Sequence, residues 1–284
     1  MPASLSPLSR SVIVTRLRAA GCVFAEDEAR LLVYAARTPS ALTAMVDRRA
    51  AGLPLEHVLG WAWFCGLRIA VDPGVFVPRR RTEFLVRQAA ALVRGLAVDS
   101  TGRAPDQPQA VVVDLCCGSG AVGAALLAAL DGVELHAADL DPAAVRCARR
   151  NLTAGGGQVH EGDLYEPLPA TLQGGVDVLV VNAPYVPTEA IGLLPPEARI
   201  HESRMALDGG ADGLDVLRRV TAEAPQWLAP DGHLLVETSE PQAPRTVETV
   251  VRNGLIPRVA SSAEPNATVV IGTKPIWQDS GPGG

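Results

Sequence analysis

The 284-residue chain is poor in the features that mark secreted, membrane-bound or metal-dependent proteins. None of its apolar runs reaches the ~20 residues that a membrane span requires, so no membrane association is expected. Residues 1–10 lack the charged-then-apolar pattern of a signal peptide. Cysteine is scarce. Cys22, Cys65, Cys116, Cys117 and Cys147 are odd in number, scattered, and without a paired CxxC spacing. That argues against both a disulfide framework and a zinc site, and no metal is expected. No segment repeats internally. These absences give the expectation of a cytoplasmic protein.

Positive charge is also in short supply, and it is unevenly spread. Residues 1–80 carry ten Arg against six acids, whereas residues 81–284 carry fifteen basic against twenty-five acidic residues, leaving +4 and −10. The larger part is therefore poorly suited to neutralising phosphates, and a nucleic-acid partner is not expected. Apolar residues make up 48% of the chain, enough for a sizeable core.

The patterning divides the chain into unequal parts. Residues 1–60 read as a small helical domain, with Val12, Leu17, Leu31, Leu32, Ala35 and Ala36 at helical spacings and breaks at 38–40 and 52–54. Residues 61–80 read as a connecting β-hairpin, with Asp72-Pro73-Gly74 as its turn. From residue 81 to 277, helices alternate with very apolar strands. Helices are expected at 82–96, 120–130, 142–152, 214–228 and 245–253, and strands at 110–114, 134–139, 176–181, 233–237 and 268–272. Continuous apolar strands between helices imply an α/β fold with a doubly wound, mostly parallel sheet. Residues 99–109 form a polar linker, and 278–284 a disordered tail.

The first chemical motif is Asp114-Leu115-Cys116-Cys117-Gly118-Ser119-Gly120, running from a strand into a helix. Glycines there let the backbone approach a ligand, and the helix start offers free N–H groups. Gly118, Gly120 and Gly123 also spell GxGxxG, so the loop fits a dinucleotide as well as S-adenosylmethionine. Two details favour the methyl donor. Three residues separate Asp114 from the first glycine, and an acid at the strand end suits a ligand with a cationic amino-acid part. Asp139, about 20 residues beyond the loop, is placed to hold ribose hydroxyls. Asp141, before Pro142, is expected to cap a helix. Asp163 is a candidate acceptor for an adenine amino group, with Leu164 packing on the ring.

The second motif, Asn182-Ala183-Pro184-Tyr185, follows the strand at 176–181, at the carboxyl end where such sheets bind ligands. An amide nitrogen is a poor nucleophile because its lone pair is delocalised. The Asn182 side-chain oxygen and the Ala183 carbonyl can accept its two hydrogens and hold it in line with a sulfonium methyl group. Tyr185 supplies a flat wall, and Pro184 stiffens the turn. No strong base is required. Arg79, Arg80 and Arg81 are expected to be solvated.

With these motifs the chain resembles the HemK family, the release-factor glutamine N5-methyltransferases. The likeness includes Arg48-Arg49, Gly52-Leu53-Pro54, Trp63-Phe64-Cys65-Gly66-Leu67, and Phe76-Val77-Pro78-Arg79 with Thr82-Glu83. It extends to Ala206-Leu207-Asp208-Gly209-Gly210 and Asp212-Gly213-Leu214. It implies a helical N-terminal domain, a hairpin and a seven-stranded class I methyltransferase domain. It also implies S-adenosylmethionine held by the 116–120 loop, Asp139, Leu164 and Asn182, beside the candidates Asp114 and Asp163 read from the motifs, and a glutamine acceptor, such as that of a release-factor Gly-Gly-Gln loop, gripped by residues 182–185. Three departures point to a diverged paralogue. Ala183 stands where the family has proline, Cys116 stands where it has glycine, and Glu264-Pro265-Asn266-Ala267-Thr268 replaces a segment with an Asp and an Arg. The motifs leave three alternatives: an amino methyltransferase on a nucleic-acid base, a nicotinamide oxidoreductase that leaves the 182–185 turn idle, and a silent cofactor-binding paralogue. Gly156-Gly157-Gln158 imitates the family's target but reads as a turn before a strand.

Overall fold

The computed structural model describes residues 9–99 and 108–276; the tail expected at 278–284 and most of the 99–109 linker lie outside them. The chain opens with helices α1 (Arg10–Ala19), α2 (Ala25–Ala35), α3 (Pro39–Ala50) and the short α4 (Leu55–Leu59). Their apolar stripes, including Ile13, Leu17, Ala29, Leu32 and Val46, form a separate small core. The break expected at 38–40 is a helix start. The Thr38 hydroxyl accepts from the Ala41 N–H at 3.1 Å, with Pro39 at the first helical position.

A two-stranded ribbon follows, β1 (Trp61–Phe64) and β2 (Leu67–Ala70). Its turn is Cys65-Gly66, both at positive φ (49° and 76°), the geometry a two-residue hairpin needs. The expected turn at Asp72-Pro73-Gly74 therefore corrects to a bend after the hairpin. The apolar stretch Val75 to Val77 pairs with no strand and runs into the cleft, with Val75 and Val77 buried.

The large domain holds β3 (Ala110–Leu115), β4 (Val133–Asp139), β5 (Gln158–Glu161), β6 (Val176–Val181), β7 (Leu228–Thr238), β8 (Ile256–Ser262) and β9 (Ala267–Thr273). They form one seven-stranded sheet in the order β5-β4-β3-β6-β7-β9-β8. The first five in space are parallel, β9 runs antiparallel to them, and β8, antiparallel to β9, returns to their direction. Helices α5 (Glu83–Asp99), α6 (Ala121–Ala129) and α7 (Pro142–Leu152) cover one face, and α9 (Asp215–Trp227) and α10 (Ala243–Arg252) the other. Every residue of β6 is buried, which accounts for its unbroken apolar run. Winding reverses between β3 and β6, so the crevice at their carboxyl ends is the natural ligand site.

Two regions differ from expectation. β8 was not foreseen, because it is an edge strand with mostly exposed or half-exposed residues and a proline at its second position. Residues 188–206 form short helical turns, including α8 (Pro196–His201), that strap across the cleft. Gln158 of the Gly-Gly-Gln imitation starts β5 after a left-handed Gly156, as expected of a turn before a strand.

Candidate active site

A cavity of about 450 Å³ opens at the carboxyl ends of β3, β4 and β6. Its walls bring together Asp114, Cys116, Cys117, Gly118, Ser119, Asp139, Asp163, Leu164 and all of residues 182–185. Gly120 is the exception among the expected residues. A side chain there would meet Ala148 Cα at 3.1 Å and Leu152 Cδ1 at 3.0 Å, so Gly120 serves the contact of α6 with α7. Gly118, by contrast, has open space in front of it at φ 55°.

Hydrogen bonds shape the loop. Asp139 accepts from the Gly118 N–H (2.8 Å) through one oxygen and from the Asp141 N–H (2.9 Å) through the other. Asp141 caps α7 as expected, accepting from the Ala143 N–H at 2.8 Å. Asp114 is 2% exposed and accepts from the Gly123 N–H at 3.1 Å, so one of its oxygens is committed to pinning the start of α6. Burial raises the Asp114 carboxyl to about 7, against the opposing Gly123 hydrogen bond and with help from the Asp139 charge. Burial also raises Asp139, opposed by its two backbone hydrogen bonds. Cys116 adopts φ 57°, a left-handed conformation that suits glycine, and burial keeps its thiol protonated.

Asp163 also lines the cavity, and its Oδ2 accepts a hydrogen bond from Arg219 at 2.7 Å. Leu164, 7% exposed, stands in the wall beside it.

The 182–185 turn is buttressed from behind. The Tyr185 carbonyl accepts from Gln242 Nε2 at 2.9 Å, and Val186 exchanges backbone bonds with Leu207 and Gly209 (3.1 and 2.9 Å). A side chain at Gly209 would lie 2.7 Å from the Pro184 carbonyl oxygen, and one at Gly213 would lie 2.3 Å from that of Tyr185. The 206–214 glycines were visible in the sequence, yet their task, letting this loop press on the turn, becomes visible only in the fold.

The expectation that Arg79 and Arg81 are merely solvated is overturned. Arg79 donates to both oxygens of Glu202, each at 2.6 Å, and the Val77 N–H also reaches Glu202 at 3.2 Å. Arg81 donates to Glu237 at 3.1 Å and to the Tyr185 hydroxyl. Both glutamates are buried, and burial raises their carboxyls while the arginines oppose it. Thr82 Oγ1 and Glu237 Oε2 are buried without a hydrogen-bond partner. Val181 pairs with Val236, so Asn182 leaves the sheet beside Glu237, which stays in β7 paired with Val269. Arg80 is exposed, as expected. Among the described residues, no cluster could hold a metal, and no helix is long and apolar enough to cross a membrane.

The profile of the methyltransferase small domain matches residues 68–211. The release factor glutamine methyltransferase of Geobacter sulfurreducens is 38% identical over 217 residues, covering 76% of this chain and 71% of the relative. That of Streptomyces coelicolor is 39% identical over 198 residues, covering 70% and 67%. A 4-amino-L-phenylalanine/4-methylamino-L-phenylalanine methyltransferase of Streptomyces pristinaespiralis is 38% identical over 194 residues, covering 68% and 63%. Among solved structures, the hMettl16 catalytic domain in complex with a 3'UTR hairpin superposes with a TM-score of 0.54 at 15% identity, covering 83% of each chain; this likeness bears on the fold alone. With the seven-stranded sheet, the glycine-loop crevice and relatives of this similarity, the chain belongs to the release factor glutamine methyltransferase family, and it is a methyltransferase of the S-adenosylmethionine-dependent class.

Proposed function

We propose that the chain transfers a methyl group from S-adenosylmethionine to the side-chain amide nitrogen (N5) of a protein glutamine, in the Gly-Gly-Gln loop of a peptide-chain release factor. The observation that carries this reading is the Asn182-Ala183-Pro184-Tyr185 turn, set in the wall of the same cavity as the glycine loop. When bound, the donor supplies an electrophilic methyl group on a sulfonium. The residues fit it. Gly118 leaves room for close backbone approach, Asp139 keeps lone pairs for ribose hydroxyls beside its two backbone bonds, and Leu164 offers an apolar surface to the adenine. Cys116, Cys117 and Ser119 complete that wall, and one oxygen of Asp114 remains for it.

On the acceptor side, the Asn182 side-chain oxygen and the Ala183 carbonyl take the two amide hydrogens, leaving the nitrogen facing the donor. Ala183 keeps the carbonyl that the family's proline would supply. The ring of Tyr185 walls the planar amide, and Arg81 on its hydroxyl fixes the ring. The nitrogen sheds one proton as the methyl group arrives, and solvent can take it. A base-modifying activity is disfavoured by the acidic balance of residues 81–284.

A second reading is methylation of an aromatic amine, supported by the relative from Streptomyces pristinaespiralis. Such a nitrogen is also planar and delocalised. Labelled transfer decides between them. The wild-type chain is expected to label a release factor and not the same factor with the loop glutamine replaced by alanine, and Asn182→Ala to abolish labelling while donor affinity stays within a few fold. Labelling of 4-aminophenylalanine instead of the release factor would establish the second reading.

A further inference from the structure

One buried guanidinium of the helical domain bonds to the wall of the cavity. Arg49, near the end of α3 and 6% exposed, donates through Nε and Nη2 to the two oxygens of Glu28 in α2, at 2.6 and 3.0 Å. That pair is already neutral and geometrically complete. Arg49 nevertheless extends Nη1 to a second carboxylate, Glu197 of α8, at 2.6 Å, and to the Leu53 carbonyl at 2.9 Å. The Glu197 side chain is 45% exposed, so burial does not demand a partner for it. What the bond does is join two parts of the chain 148 residues apart.

Glu197 sits in the strap at 188–206, which closes the cavity opposite the glycine loop. The other end of α8 is held by the linker, where Glu202 takes both hydrogen bonds from Arg79 and the Ser203 N–H donates to the Gly74 carbonyl at 3.1 Å. The strap is thus clamped at two points, one by the segment leading into the methyltransferase domain and one by the helical domain. A second polar link runs parallel, with buried His57 Nε2 lying 2.9 Å from the carbonyl of Val75, itself in the cavity wall. None of these groups reaches the glycine loop or Asp139.

We propose that Arg49 is a positioning residue for the acceptor: by holding Glu197 it sets the strap as the acceptor's wall and makes acceptor affinity depend on the helical domain. The proposal rests on the reading that the acceptor enters between the strap and the 182–185 turn. A change in the Arg49–Glu197 link then alters the KM for the acceptor and leaves donor binding alone.

The test uses Glu197→Gln, Arg49→Lys and the double variant in the full chain, with a release factor as acceptor. Glu197→Gln is expected to raise the acceptor KM roughly fivefold, the scale of a half-exposed ion pair. Donor affinity by calorimetry stays unchanged. The double variant raises KM no further than the stronger single variant, since both break one link. Amide hydrogen exchange is read alongside without any acceptor, and residues 194–206 exchange faster in Glu197→Gln than in wild type. An unchanged KM, an equal loss of donor affinity, or additive effects in the double variant overturns the proposal. If wild type methylates no release factor, the functional reading fails, and the exchange data decide this proposal separately: unchanged exchange in the strap overturns it. Glu197→Gln alone suffices should Arg49→Lys fail to fold.

Discussion

Replacing Gly213 by alanine tests whether the 182–185 turn works by position. The new Cβ would stand 2.3 Å from the Tyr185 carbonyl oxygen and 3.0 Å from its carbonyl carbon. Ordinary contact to an oxygen begins near 3.4 Å, so the turn or the 209–214 loop has to move by about 1 Å. The nearby Gln242 Nε2, at 2.5 Å, can swing away, but a backbone carbonyl cannot. Gly213 also holds φ 79°, where alanine pays about 1–2 kcal/mol of left-handed strain. Misplacement of a reacting group by about 1 Å costs on the order of 10²-fold in rate. The expected result is a kcat lower by about 10²-fold, donor affinity by calorimetry within a few fold of wild type, and a melting temperature lower by several degrees. A folded Gly213→Ala protein with wild-type kcat would refute the claim that the buttress positions the turn.

Three further perturbations follow from the donor side. Asp139→Ala removes an acceptor from the Gly118 and Asp141 N–H groups as well as the proposed ribose contact, so donor affinity should fall roughly 10–100-fold by calorimetry; unchanged affinity would exclude Asp139 from the site. Cys116→Gly relieves a left-handed non-glycine residue and should raise stability by about 1 kcal/mol in denaturant unfolding; a loss of stability would mean that the thiol's packing outweighs the strain. Asp114 has a carboxyl raised from 3.8 to about 7, so the native state binds a proton that the unfolded chain has released. Its contribution is therefore favourable at low pH and is lost as pH rises from about 4 to about 7, by an amount on the order of 4 kcal/mol. Asp114→Asn, which can still accept from the Gly123 N–H, should flatten that slope in urea titrations across the same window, and an unaltered slope would show that another group is responsible.

The sequence was most legible where one residue's chemistry decides a local structure. The unbroken apolar run of β6 announced a strand buried on both faces, and Asp141 before Pro142 announced the start of α7. The cleft walls were legible because glycine-rich and Asn-Ala-Pro-Tyr segments both follow such strands. What stayed hidden depends on partners far apart in the chain. Arg79 and Arg81 look like a solvated basic run until the fold brings Glu202 and Glu237 to them across 123 and 156 residues. Nor does the sequence show that α9 delivers Arg219 to Asp163. The hairpin turn was misplaced because Asp72-Pro73-Gly74 is the stronger local turn signal, whereas Cys65-Gly66 turns through positive φ at a cysteine. β8 leaves little apolar pattern to read because it is an edge strand with every residue exposed or half-exposed.

The activity proposed for this cavity is methylation of a glutamine amide nitrogen. The most direct measurement is peptide mass spectrometry of a release factor after incubation with the purified chain and isotopically labelled S-adenosylmethionine. The expected product carries one labelled methyl group on the glutamine of the Gly-Gly-Gln loop, absent with Asn182→Ala. An unmodified glutamine, in a preparation that binds the donor by calorimetry, would contradict it.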